Sequence, residues 1–396
     1  MSAELAARVP TLWHGQGITR RMTDRLTAGR EALAIMDSST PTPVLSGSPP
    51  MTIVVDARSV SIASVVSIAE QIARRKPRVI IAVGGGSILD ASKIAALVLS
   101  PGRTFDFAIE RAATSALTFL PDAPPPVEVI AVPTTLGTSS ETNSVGILTN
   151  ESGHRLIIGG SLRPRHAIID ARNLMTLSPV AVREGAMEAF LRLAGASTSP
   201  RRTIRAKCDA ITLGSALLAT ASRGDTSPGS RLRLARLSAA TQRTAALRGS
   251  DPYSARHWYI ANEVSFALEV RKMAATAAII AAVWRRICSG DRRWGDRRSL
   301  EEFWSTAASG LALPLDPPSG IAALIDRWQI PTPPRPTPRS IARIAAVTER
   351  AWANRHPMLA GLVAADFSDL LRDSSWSSQP FGHPDRSSKL RKEVNQ

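Results

Sequence analysis

The segment from Val79 to Leu99 constrains this chain more than any other. Val79 to Val83 (VIIAV) is an uninterrupted apolar run, as in a strand buried on both faces. It enters Gly84-Gly85-Gly86-Ser87, after which Ile88 to Leu99 places apolar residues at helical spacing. A strand, a glycine turn and a helix in that order present backbone N–H groups and the positive end of a helix to a phosphate. Three bare glycines leave room for a pyrophosphate where any side chain would intrude, and Ser87 adds a hydroxyl donor. Taken alone, such a turn fits a tight structural bend equally well, so the neighbouring pattern has to decide.

That pattern is α/β. Ala32 to Met36 (ALAIM) reads as a strand ending at Asp37, and Met51 to Val55 as another, with Pro41, Pro43, Pro49 and Pro50 filling an irregular loop between them. Ile62 to Arg75 has helical periodicity. Val127 to Val132 is a strand running into Pro133-Thr134-Thr135-Leu136-Gly137-Thr138-Ser139-Ser140-Glu141, and Ala167 to Asp170 closes the region. The residues before Ala32 read only as a basic segment. From Pro179 onward alanine-, leucine- and arginine-rich helical stretches follow one another, with Pro331 to Pro338 (PTPPRPTP) as a rigid connector. The expectation is an α/β dinucleotide-binding (Rossmann-like) domain over 1–177, an all-α substrate domain over 178–378 and a polar tail over 379–396.

With 396 residues, 44% of them hydrophobic and 21% charged, the chain can bury two cores and is neither disordered nor a disulfide scaffold. Cys208 and Cys288 lack metal-binding spacing. The start, MSAELAARVP, lacks the apolar stretch of a signal peptide, and Ala274 to Val283 is too short to span a bilayer, which points to a core helix, no membrane partner and a cytoplasmic location. The formal charge of +16 favours an acidic partner over long range. Between Arg201 and Arg248 ten basic residues face only Asp209 and Asp225, which reads first as a solvated surface and second as a dock for an acidic peptide or a partner protein. Nothing accompanies the charge that would suit nucleic acid.

GGGSILDASK followed by PTTLGTSSE, with a strand between, resembles the paired signature of the iron-containing alcohol dehydrogenase and dehydroquinate synthase-like superfamily. HAIIDARNLMTLSP and NRHPM extend the likeness along nearly the whole chain, with a shortened region between the first two strands. The resemblance implies that Gly84, Gly85, Gly86 and Ser87 form the pyrophosphate loop with Asp90 of the same motif, and that Thr134, Thr135, Thr138 and Ser140 lie beside the cofactor. Asp37, at the end of its strand, suits the adenosine ribose and would repel a 2′-phosphate, so NAD is favoured over NADP. A plain turn residue is the other reading of Asp37.

The departures from the family pattern matter more. Metal-dependent relatives carry an Asp and, four residues on, a His on one helical face, with two further histidines from following helices. Counted from Pro179, these positions fall on Glu188, Arg192, Trp258 and Lys272. Arg cannot donate a lone pair and Lys is normally protonated, so no catalytic metal is expected. His257, a lone helical histidine, reads as structural.

Arg192 and Lys272 in place of ligands could stabilise an alkoxide or bind a substrate carboxylate. Glu188 and Arg192 at i, i+4 also fit an ordinary intrahelical ion pair. The leading functional expectation is an NAD-dependent, metal-independent alcohol dehydrogenase that oxidises a secondary alcohol, with Glu188, Arg192 and Lys272 catalytic. A β-hydroxy acid would suit the cations. Its oxidised product loses carbon dioxide readily, and divergent members of the superfamily resemble enzymes that oxidatively decarboxylate a C-terminal threonine of a ribosomally made peptide. The alternatives are an ordinary reductase of small aldehydes or ketones, and an inactive subunit that binds NAD or a partner. A homodimer is the expected assembly.

Overall fold

A computed structural model describes residues 9–40, 51–249 and 251–378. The proline-rich loop and the polar tail read from the sequence lie outside the described residues. Strands β1 (Thr11–Gly15), β2 (Ala32–Asp37), β3 (Met51–Val55), β4 (Val79–Gly84), β6 (Glu128–Pro133) and β9 (His166–Asp170) form one parallel sheet in the order β1-β9-β6-β4-β2-β3. Every residue of central β4 is buried, as an uninterrupted apolar run requires.

The two-residue period of the strands divides the sheet's faces. Ile80 and Ala82 pack with Val129 and Ala131 beneath α2 (Ile62–Arg75) and α3 (Gly86–Ala96). Val79, Ile81 and Val83 face the other way, with Ile130, Val132 and Met22 of α1 (Thr19–Thr27). Helix α3 begins at Gly86, two residues before the apolar periodicity starts, and passes into a 3-10 turn at Leu97–Leu99.

Two parts of this region differ from the sequence reading. The basic N-terminal segment contains β1 and α1, which periodicity misses because β1 is a half-exposed edge strand whose only partner is β9, about 155 residues away. Asp170 ties the two together, its carboxylate accepting from the Gly17 amide at 2.7 Å and from the Thr19 hydroxyl at 2.8 Å. Burial works against that charge, yet these donors outweigh it and hold the carboxyl below its usual range. The second part is a small sheet of β5 (Leu117–Phe119), β8 (Gly153–Ile158) and β7 (Val145–Asn150), behind α4 (Thr104–Thr114).

Beyond Asp170 the described residues form only helices and irregular chain apart from an isolated bridge between Pro334 and Ser377. Helix α5 (Pro179–Ser197) starts with Ser178 capping the Ala181 amide and proline in its first turn. It is followed by α6 (Ile204–Ser222), α7 (Pro228–Arg243), α8 (His257–Ala267), α9 (Lys272–Cys288), α10 (Arg297–Ala307), α11 (Pro317–Arg327), α12 (Pro338–Trp352) and α13 (Ala364–Arg372). Helix α9 is buried almost throughout from Met273 to Trp284 and is the axis of this core, with Phe190, Trp304 and Trp352 around it. No helix among the described residues is long and apolar enough to cross a membrane.

The arginine-rich stretch from Arg201 to Arg248 is only partly a surface. Arg201, Arg205, Arg223, Arg233, Arg236 and Arg248 are exposed. Arg231 is buried and binds the carbonyls of Leu174 and Leu177, while Arg202 holds those of Ala206 and Ala246. Two of the ten basic side chains are thus spent on backbone carbonyls.

Candidate active site

The glycine loop closes β4 against the start of α3. Gly85 is the N-cap and offers no side chain to the first helical amides, so these donors stay free for an anion. The glycines also serve packing. A Cβ on Gly85 would lie 3.2 Å from the Thr135 side chain, and one on Gly86 2.9 Å from that of Thr138, so bare backbone here lets the second loop lie against the first. Ser87 is exposed at the helix start, and Thr134 joins the loops by donating its amide to the Gly84 carbonyl at 3.0 Å. Asp37 ends the neighbouring strand, one step past the Met36–Val83 pairing. One of its oxygens caps the Ser39 amide at 3.1 Å, so the turn role is realised while the residue still stands beside the glycine loop.

Asp90 and Ser140 are joined to each other and to Lys93. The buried Asp90 carboxylate pairs with Lys93 at 2.9 Å, accepts the Ser140 hydroxyl and receives the Ile147 amide at 3.1 Å. Lys93 also donates to the Ser140 carbonyl and to Asn143 Oδ1, each at 3.1 Å. Every group in this cluster is satisfied, and it fixes the second loop to α3.

Helix α5 approaches the same loop glycine to glycine. A Cβ on Gly185 would meet the Leu136 carbonyl at 2.4 Å, and one on Gly137, whose φ is +112°, would meet Gly185 Cα at 2.7 Å and Glu188 Oε2 at 2.9 Å. Glycine inside a helix costs roughly 1 kcal/mol against alanine, and this close approach is its reason here.

Arg192, one turn beyond Glu188, spends its guanidinium on that loop. Nη1 donates to Ser139 Oγ at 3.2 Å and Thr241 Oγ1 at 2.9 Å, and Nη2 to the carbonyls of Gly137 and Thr138 at 2.5 and 3.0 Å. All four Nη hydrogens are engaged on the second loop and Thr241, so these bonds hold the loop in place. The intrahelical pair with Glu188 is not formed at ion-pair distance, because the loop's acceptors lie nearer.

Glu188, whose carboxylate lies against Gly137 of the second loop, and Lys272, at the start of α9, remain. Neither has a hydrogen-bond partner among the described residues, and each feels the other's charge. Burial pushes the Glu188 carboxyl up, against the pull of Arg192 and Lys272. Burial pushes the Lys272 ammonium down, opposed by Glu188 and assisted by Arg192. Lys272 is the first residue of α9, where the positive helix end also disfavours an ammonium. Its Nζ lies 5.0 Å from the centre of the Trp258 ring, a cation–π contact.

Several further residues stand near these groups. Glu141 ends the PTTLGTSSE motif, fully buried, and burial raises its carboxyl to about 7 despite Arg192 and Lys93. Its place in a signature motif was the available clue. His154, on β8, is lowered to about 4 by burial and by Lys272, and its ring joins Thr149 to Ser265. His257 stacks on Trp258 with centroids 4.5 Å apart, and burial lowers it to about 3. Asn262, one turn past Trp258, is buried with neither amide atom bonded.

This donor set does not fit a divalent metal ion. Glu188 alone could ligate, Arg192 is bound to the loop, and Trp258 and Lys272 supply a ring face and a cation. The glycine loop, with its uncapped helix start, does fit a pyrophosphate.

Residues 50–171 match the family model described as iron-containing alcohol dehydrogenase. Over 177 residues the chain is 34% identical to a phosphonoacetaldehyde reductase of Streptomyces viridochromogenes, covering 43% of this chain and 44% of that protein. It is 36% identical over 135 residues to a probable mitochondrial hydroxyacid-oxoacid transhydrogenase of Dictyostelium discoideum, covering 31% of this chain and 25% of that one. The chain thus aligns with less than half the length of these curated relatives. The structure superposes on NADH-dependent butanol dehydrogenase A of Thermotoga maritima with a TM-score of 0.74 and 16% identity, over 92% of this chain and 97% of the other, which establishes a shared fold.

Proposed function

We propose that this chain, whose residues 50–171 match the iron-containing alcohol dehydrogenase family model, is an oxidoreductase that interconverts an alcohol and a carbonyl compound with NAD and without a catalytic metal. One observation carries the reading: the Glu188 carboxylate lies against Gly137 and the Lys272 amine over the Trp258 ring, each within the other's field and each shifted toward neutrality by burial. Gly84, Gly85, Gly86 and Ser87 would hold the pyrophosphate, and Asp37 the adenosine ribose. NAD supplies hydride acceptance when bound.

The chain's own part is the proton. Burial favours the neutral amine of Lys272, whereas the nearby Glu188 carboxylate favours its charged form, so Lys272 is the group we assign to take up the proton. In the oxidative direction the carbinol C–H leaves as hydride and the hydroxyl proton goes to the Lys272 amine. In its charged form the same side chain stabilises the developing alkoxide. Arg192 keeps the second loop in place by holding its carbonyls.

The substrate class we favour carries an anion, as a β-hydroxy acid does. The printed names of two relatives, a phosphonoacetaldehyde reductase and a hydroxyacid-oxoacid transhydrogenase, both denote anionic substrates. A peptide ending in threonine fits this class: its oxidation gives a β-keto acid, and the net change is loss of carbon dioxide and two hydrogens. Small-aldehyde reduction in the manner of the first relative is the second reading. The test is NADH formation by the purified, metal-analysed protein with anionic and neutral alcohols and a threonine-ending peptide. Turnover that survives chelation and favours anionic substrates supports the proposal. A stoichiometric transition metal, or NAD binding with no turnover on any substrate, overturns it in favour of a metal enzyme or an inactive subunit.

A further inference from the structure

A second basic region lies away from the nucleotide-type loops. A groove of about 1190 Å³ runs between the β7–β8 hairpin and helices α8 and α12. Its lining includes Arg155 of β8, which is 8% exposed, has a buried Nε without a partner and donates no hydrogen bond among the described residues. Burying a guanidinium without acceptors is costly, so a buried one aimed into a groove marks a place where an acceptor belongs.

The charges around it point the same way. Arg111, Arg343 and Arg350 stand exposed at the rim and Arg58 is matched by Asp56. The carboxylates lining the groove are Glu151, Glu263 and Glu269. Glu263 is the one coupled to Arg155, and it already accepts the Trp352 indole N–H at 2.8 Å. Arg343 and Arg350 are seven residues apart on α12, which separates them by about 10 Å along the helix at the usual rise. Ile344, Val347 and Phe266 add apolar wall between the charges.

We propose that this groove binds an extended organic oxyanion bearing at least two carboxylate or phosphate groups, one on Arg155 and another on the α12 arginines. The volume exceeds what a single inorganic ion needs. The site is independent of the dehydrogenase reading, although His154, in its lining, feels the charge of Lys272.

Calorimetric titration of the full chain with hexaglutamate, citrate and sodium chloride at matched ionic strength tests this. Hexaglutamate is expected to bind, with citrate about ten-fold weaker because its carboxylates are too close to span the groove. Arg155→Gln should weaken hexaglutamate at least about ten-fold and Arg350→Gln about three-fold, while Arg75→Gln, outside the groove, changes nothing. NADH titration of the same variants should be unchanged, so failure here leaves the cofactor reading standing. Should Arg155→Gln unfold, the exposed pair Arg343→Gln with Arg350→Gln carries the test. Equal hexaglutamate affinity in wild type and these variants, or binding that follows ionic strength alone, overturns the site.

Discussion

Two lysine–carboxylate clusters lie a few residues from the same loop and have opposite character. Lys93 and Asp90 touch at 2.9 Å and every remaining donor and acceptor is matched by Ser140, Asn143 or a backbone group. Lys272 and Glu188 feel each other's charge, but neither side chain has a hydrogen bond among the described residues, and burial moves both toward neutrality. A satisfied buried pair locks structure, whereas an unsatisfied one keeps a proton available for exchange. The first cluster holds the second loop on α3, and Glu188 of the second lies against Gly137 of that loop.

The sharpest way to break this contrast is to remove one amine from each. Lys272→Met is expected to lower turnover by about 10²–10⁴-fold, the usual contribution of a proton-transfer group, with the unfolding midpoint unchanged or raised. Initial rates and thermal unfolding on the same preparation decide it, and retained turnover would remove the pair from the chemistry. Lys93→Met should do the reverse. It strands Asp90 in the interior and is expected to cost about 3–5 kcal/mol in denaturant unfolding.

Glu141 adds a pH arm to the comparison. Its folded carboxyl lies at about 7, above its ordinary 4.5, so the folded state holds the proton more tightly than the unfolded chain. The resulting stability is fully present below pH 4.5 and is lost as the pH rises toward about 7. Glu141→Gln should therefore gain on wild type across that window, by as much as about 3 kcal/mol at its upper end, measured as urea midpoints at several pH values. A constant difference with pH would show that the carboxyl stays ionised.

The smallest expected effect concerns Asp37, whose carboxylate is shared between a turn and the cofactor's place. Asp37→Ser should shift the ratio of NADPH to NADH dissociation constants by about ten-fold in favour of NADPH, read by fluorescence titration. An unchanged ratio would leave only the cap of Ser39.

How far these roles were legible depends on how local their causes are. Val79–Val83, the glycines and the helix after them could be read directly, because strand burial, φ freedom and helical spacing are written in consecutive residues. That Arg192, Trp258 and Lys272 are poor metal ligands could likewise be read from residue type alone. Strand β1 was not, because its five residues become a strand only by pairing with β9.

Side-chain assignments were harder still. Glu188 and Arg192 at helical spacing suggest a pair, yet four acceptors from the second loop and α7 claim the guanidinium. Asp90 belongs to a nucleotide-binding signature, yet its oxygens are spent on Lys93, Ser140 and Ile147. Arg155 carries no motif at all and acquires meaning only through the groove it lines. The sequence alone determined the central strand, the bare glycine turn and the helix after it, because these depend on neighbours along the chain. Which cation is bound, which is free and which is buried was decided by tertiary structure, because a charged group's state depends on the acceptors and solvent that distant segments bring to it.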